Sequence, residues 1–121
     1  MNDLEWLTTQ VAGLVRETGV FISAELGKVA NHQIETKDKN SLVSYVDKTA
    51  ELMLVKGLKP LLLGASFMTE EETDLAQKTN SPYTWIIDPL DGTTNFLHQL
   101  PCFAISVALA YNNEIQIGVV L

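Results

Sequence analysis

The stretch Trp85-Ile86-Ile87-Asp88-Pro89-Leu90-Asp91-Gly92-Thr93-Thr94-Asn95-Phe96 joins a short aromatic and β-branched run to a polar loop. Residues 84–87 read as a buried strand, because β-branched and aromatic side chains suit an enclosed, pleated surface. The strand is expected to end at Ile87, with residues 88–95 forming a loop. Pro89 stiffens that loop and carries no N–H to satisfy. Asp91 lies three residues after Asp88, so both carboxylates can turn to one side, with the Leu90 carbonyl between them. Oxygen donors of this kind suit a hard cation such as Mg²⁺. Gly92 lets the backbone approach a ligand closely. Thr93-Thr94-Asn95 can cap and begin a short helix, whose unsatisfied N–H groups suit phosphate. On these local grounds a solvated Asp-Gly turn accounts for the same residues, and both readings stand.

Upstream of this stretch the chain reads as two helices. From residue 2 to about residue 29, Leu4, Leu7, Val11, Leu14, Val15, Phe21, Ile22 and Leu26 return at helical spacing. Asn2 with Glu5 resembles a capping box, and Gly27 is a plausible stop. Residues 31–41 are polar and read as a loop. A second helix is expected over about 44–59, burying Val46, Ala50, Met53, Leu54, Gly57 and Leu58, with Ser44 and Asp47 at its entry and Pro60 and Gly64 closing it. The period then becomes extended. Residues 66–69 read as a short strand ending at Glu70-Glu71-Glu72, and residues 74–82 as a polar connection.

Downstream, residues 103–111 alternate large (Phe103, Ile105, Val107, Leu109) with small (Ala104, Ser106, Ala108, Ala110), which predicts a strand packed on both faces. Asn112-Asn113 signals a hairpin, and residues 115–121 read as the returning strand. The pattern predicts an α+β, layered α-β sandwich: two N-terminal helices on a largely antiparallel sheet.

The whole is 121 residues long, enough for one domain, and is 46% hydrophobic and 19% charged, an ordinary globular composition. Its net charge of −7 argues against nucleic acid or an anionic membrane as partner. A phosphorylated small molecule remains compatible if a divalent cation screens the charge. The single cysteine, Cys102, allows no internal disulfide and fits a reducing cytoplasm. Met1-Asn2-Asp3-Leu4-Glu5 does not read as a signal peptide, and no apolar run approaches the roughly 20 residues of a membrane-spanning helix.

The acidic positions Asp47, Glu70, Glu71, Asp88 and Asp91 fall at strand ends or a helix start, where sheet-containing enzymes gather their sites. With them, three motifs resemble the inositol monophosphatase family. The run from Trp85 to Phe96, continued by Leu97-His98-Gln99-Leu100-Pro101, resembles its signature loop. Phe67-Met68-Thr69-Glu70-Glu71 resembles its Glu-Glu motif, and Leu42-Val43-Ser44-Tyr45-Val46-Asp47 its first acidic motif. The resemblance implies the N-terminal domain of the sugar-phosphatase fold and a Mg²⁺-dependent phosphomonoesterase with two or three ions per complete site. Glu70, Asp88 and the Leu90 carbonyl would hold one ion, and Asp88 and Asp91 a second. Gly92, Thr93 and Asp91 would meet the substrate phosphate, while Thr93, Asp47 and Glu70 would orient the attacking water.

The substrate so implied is inositol monophosphate or a similar polyol or sugar phosphate, and a homodimer is in the family's style. A 3′(2′),5′-bisphosphate nucleotidase is the near alternative, disfavoured by Thr94-Asn95 where those relatives carry Lys. A sugar bisphosphatase and a non-catalytic metal-binding fragment are the others. The chain departs from the family pattern at Thr69 (usually Gly), Glu72 (usually Ser) and Val46 (usually Thr). It also lacks the later Trp-Asp motif whose carboxylate completes the second metal site. Residues 1–121 are therefore expected to be a metal- and phosphate-binding domain truncated before its C-terminal partner. Lys37, His32, His98, Cys102, Glu71 and Glu72 are read as solvated or packing residues. Trp6 and Trp85 are assigned to the core, and Tyr45 has no assigned part.

Overall fold

The computed structural model describes residues 4–25, 34–36, 42–69, 79–91 and 104–121. Helix α1 runs Leu4–Ala24 and α2 Tyr45–Leu58, which a 3₁₀ turn, Lys59–Leu61, extends. The strands are β1 Ile34–Thr36, β2 Leu42–Ser44, β3 Ser66–Thr69, β4 Tyr83–Asp91, β5 Ala104–Tyr111 and β6 Glu114–Val120. Strands β3 to β6 form one open sheet in the order β3-β4-β5-β6, with β3 and β4 parallel and the other neighbours antiparallel. The expected layered α-β architecture is present, on a mixed sheet.

Helix α1 buries Leu7, Val11, Val15 and Ile22 along one stripe, with Thr18 and Gly19. The Thr18 hydroxyl stays satisfied inside the core by donating to the Leu14 carbonyl at 2.9 Å. Trp6 does not join the core. It is 54% exposed, because helical spacing puts it beside Thr9 and Gln10 on the polar stripe. Helix α2 buries Val46, Ala50, Leu54, Val55 and Leu58, and with them two acids, Asp47 and Glu51. Met53 is only half-buried. The two helices approach closely at Gly57, where an added Cβ would lie 2.5 Å from both methyls of Leu14.

The inward face of the sheet carries Trp85 and Ile87 from β4, Ile105, Val107 and Leu109 from β5, and Ile117 from β6. Register pairs Trp85 with Leu109 and Ile87 with Val107, so these side chains stack in rows under the helices. Each fully buried Leu or Ile here contributes about 1.5–3 kcal/mol. The alternate face carries the row Met68, Ile86, Ala108, Gly118. That row is half-buried or exposed, although Ser66 and Ala110 on the same face are buried, so β5 packs more completely on its helix-facing side than on the other. The β5–β6 turn has Asn112 at φ 49° and Asn113 at φ 70°, the left-handed pair that a two-residue hairpin requires.

Two expected boundaries also change. Residues 31–41 were expected to be a loop, but β1 and β2 pair as an antiparallel ribbon, Ile34 opposite Ser44. The strands are three residues each, too short for their alternation to stand out in a polar segment. Strand β4 does not stop at Ile87. It continues through Asp88, Pro89 and Leu90 to Asp91. The expected stop followed from the end of the apolar run at Ile87, and a bulge is one place where a strand tolerates the proline beyond it. The proposed cap at Asn2 and the stop at Gly27 lie outside the described residues.

Candidate metal and phosphate site

The carboxyl end of β4 is irregular in a defined way. Asp88 pairs with Ser106 and Asp91 with Ala104, so three steps along β4 oppose two along β5. The extra residue makes a β-bulge, a device that re-aims side chains and is common beside functional sites. Pro89 and Leu90, inside the bulge, are buried, Leu90 to 3% exposure. Before the bulge the alternation is regular: Trp85 and Ile87 face the helices, while Ile86 and Asp88 face the other way. Asp88 is half-buried.

Two further elements converge on this end of the sheet. Strand β3 runs parallel to β4, with Thr69 opposite Ile87. The two strands therefore run to the same end of the sheet, β3 ending at Thr69 and β4 continuing past it to Asp91. The chain reverses between α2 and β3 across Leu62–Ala65, with Gly64 at φ +83°. That reversal sends β3 back along α2, so the start of α2 lies at the end where β3 and β4 exit. Asp47 sits there, in the first turn of α2 and 2% exposed. A carboxylate in a first helical turn is favoured by the positive end of the helix dipole, by about 0.3–1 kcal/mol at an exposed site.

The start of α2 is anchored. The Tyr45 hydroxyl donates a hydrogen bond to a carboxylate oxygen of Glu25, just past the end of α1. That bond, then burial and the nearby Glu25 charge, hold the Tyr45 phenol above its usual pKa of 10.0. The start of β3 is clipped to the approach to β4. The Thr79 backbone N–H donates to the Ser66 hydroxyl at 2.7 Å, and the Thr79 hydroxyl donates to the Gly64 carbonyl at 2.6 Å. An apolar cleft of about 560 Å³ is lined, among the described residues, by Arg16, Gly19, Val20, Ser23, Ile105 and Leu121, and so not by Asp47 or Asp88.

A family model described as the inositol monophosphatase family matches residues 3–121. The chain belongs to that family. Its curated relatives include an inositol-1-monophosphatase from Mesorhizobium japonicum, 38% identical over 86% of this chain and 39% of the relative. Human inositol monophosphatase 1 is 36% identical over 88% of this chain and 39% of its own length. Among solved structures, the extragenic suppressor protein suhB from Bartonella henselae superposes with a TM-score of 0.83 at 33% identity, over 98% of this chain and 45% of that one. The chain thus spans about two fifths of the length of the curated relatives it matches.

Within the family frame, the described residues bring Asp88, the Leu90 backbone and the start of α2 with Asp47 to one end of the fold. The backbone of Asp91 ends β4. Glu70, Gly92 and Thr93 lie outside the described residues, as do Glu71, Glu72, His98 and Cys102. Among the described residues no group of three or more His, Cys, Asp or Glu is arranged to hold a metal. No described helix is long and apolar enough to cross a membrane. Sequence reasoning missed Glu51, a fully buried acid one turn after Asp47. Its signal was available: it falls on the stripe of Ala50, Leu54 and Leu58 at helical spacing. It also missed the Tyr45–Glu25 bond, which spans 20 residues and leaves no periodic trace.

Proposed function

We propose that this chain forms the metal- and phosphate-binding part of a Mg²⁺-dependent phosphomonoesterase, a phosphoric monoester hydrolase acting on inositol monophosphate. The bulged carboxyl end of β4, in a chain of this family, carries the reading. There Asp88, the Leu90 carbonyl and Asp91 follow one another where a regular strand would have continued.

The donor chemistry fits a hard divalent cation, since every group offered is an oxygen: two aspartates and a carbonyl, with Glu70 next along from β3. Glu70, Asp88 and the Leu90 carbonyl would hold one Mg²⁺, and Asp88 with Asp91 a second. When bound, the metal stabilises charge on the phosphoryl oxygens and lowers the pKa of coordinated water. The protein's own part is positional. Gly92 and Thr93 would present backbone N–H groups to the phosphate. The Thr93 hydroxyl, with Asp47 and Glu70, orients the water for in-line attack. Pro89 and the bulge fix the angle at which Asp88 and Asp91 leave the sheet. Hydrolysis of a phosphate monoester is among the slowest of uncatalysed reactions, so a site of concentrated charge is what the chemistry demands.

The substrate assignment draws support from relatives named as inositol monophosphatases. It is tested by following free phosphate released from inositol 1-phosphate. In the full-length protein, release that requires Mg²⁺ and disappears in Asp88→Asn is expected. Turnover without a divalent cation, or an active Asp88→Asn variant, refutes the assignment.

A further inference from the structure

Ser106 on β5 has no part in the reaction described above, yet it stands directly opposite Asp88 on β4, in the last pair before the bulge. Ile105 and Leu121 exchange both of their backbone hydrogen bonds, at 3.2 and 3.0 Å, so the next residue, Ser106, turns its backbone groups toward β4. Ser106 and Asp88 therefore occupy a hydrogen-bonded position of the ladder, with Cα atoms about 5.5 Å apart. Their side chains lie on one face of the sheet, the face turned away from the helices. Cross-strand side chains so placed are within reach of each other.

Ser106 is half-buried, and its described neighbours on that face, Ala104 and Ala108 along β5 and Val120 opposite on β6, are apolar. Asp88 is the polar side chain beside it. Among the described residues no hydrogen bond commits the Ser106 hydroxyl. An uncommitted hydroxyl in an apolar row adds nothing to stability, and alanine, present on both sides, would fill the place as well. We propose that Ser106 is a positioning residue for the metal site: its hydroxyl donates to the Asp88 carboxylate oxygen that the cation leaves free, and so keeps the other oxygen turned to the metal. The proposal rests on the metal-site reading given above. An ionised carboxylate only accepts hydrogen bonds, and a serine hydroxyl turning about one torsion supplies a donor. Asp88 is engaged elsewhere in the fold as well, and the roughly four acceptor positions of a carboxylate leave room for this bond. Partners that hydrogen-bond a metal ligand from behind typically change metal affinity about 10–100-fold when removed.

The test is calorimetric titration of Mg²⁺ into the chain and its Ser106→Ala, Ser106→Thr and Asp88→Asn variants, with thermal unfolding in EDTA alongside. The chain itself serves, because Glu70, Asp88 and the Leu90 carbonyl, the groups proposed for the first ion, all belong to it. Ser106→Ala should bind Mg²⁺ about tenfold or more weakly than wild type, at a metal-free melting temperature no lower. A smaller loss of affinity overturns the proposal. A merely structural serine would lower the melting temperature and leave the affinity of the folded protein alone. Ser106→Thr keeps the hydroxyl on a side chain suited to a strand, so it should bind close to wild type. If it loses as much affinity as Ser106→Ala, the effect belongs to packing at this position and the proposal is overturned. Should Ser106→Ala fail to fold, Ser106→Cys, of similar size and only a weak donor, takes its place under the same outcomes. A wild-type chain that binds no Mg²⁺, or an Asp88→Asn variant that binds as wild type does, refutes the metal-site reading itself and the role of Ser106 with it. A failure confined to the Ser106 variants leaves that reading standing.

Discussion

Gly57→Ala tests how α2, and with it Asp47, is seated against α1. An alanine Cβ at this position would lie 2.5 Å from both Leu14 methyls and 3.1 Å from the Leu14 Cγ. Ordinary carbon contacts are about 3.5–4.0 Å, so the overlap is on the order of 1 Å. Moving Leu14 or shifting the helices should cost about 1–3 kcal/mol. Against this, alanine gains at most about 1 kcal/mol in helix propensity over glycine. The net expectation is a loss of up to about 2 kcal/mol. The sign should reverse when the obstacle is removed. In a Leu14→Ala background, Gly57→Ala should stabilise by up to about 1 kcal/mol, because only the propensity gain is left. Urea unfolding followed by circular dichroism measures all four proteins of the cycle, and similar m-values would confirm that the unfolding transition itself is unchanged. A Gly57→Ala variant that stabilises equally in both backgrounds would refute the close approach of the helices.

Three other outcomes follow from the same structure. Tyr45→Phe should lower stability at neutral pH by about 0.5–1.5 kcal/mol, the usual net worth of one hydrogen bond. The Tyr45 pKa is raised in the folded state, so its stabilisation is complete below pH 10 and is lost as pH climbs through the folded value. Wild-type stability should therefore fall more steeply above pH 10 than that of Tyr45→Phe, in chemical unfolding over that range. Trp85 is fully buried and its indole N–H has no hydrogen-bond partner among the described residues. Trp85→Phe should cost less than Trp85→Ala, which should lose about 3–5 kcal/mol; similar losses would contradict the packing. Asn113→Gly should be nearly neutral and Asn113→Ala should destabilise by about 1–2 kcal/mol, since alanine tolerates positive φ poorly; equal stability in denaturant titrations would contradict the hairpin geometry.

Where the sequence was legible, periodicity carried the information. The stripe of Leu7, Val11, Val15 and Ile22 marked α1, and the alternation through Ile105, Val107 and Leu109 marked β5. Punctuation placed the ends of elements: Pro60 and Gly64 closed α2, and Asn112-Asn113 made the hairpin. What escaped was structure that local pattern does not encode. The β1–β2 ribbon is too short for alternation to register. The bulge in β4 put Pro89 inside a strand because register against β5, a tertiary matter, absorbed the extra residue. Trp6 was expected in the core, while its helical phase put it among polar neighbours. Of the candidate site, Asp47 and Asp88 were legible as acids at a helix start and a strand end. Glu51 was passed over as an ordinary helical glutamate, and only its burial distinguishes it.

The claim that this family member carries its metal ligands at the carboxyl end of β4 meets its most direct test in Mg²⁺ binding by the chain and its Asp88→Asn variant. Wild type should show saturable, inorganic-phosphate-enhanced Mg²⁺ binding. Asp88→Asn, folded to the same melting temperature in EDTA, should show none. Equal Mg²⁺ binding by the two proteins would contradict the account.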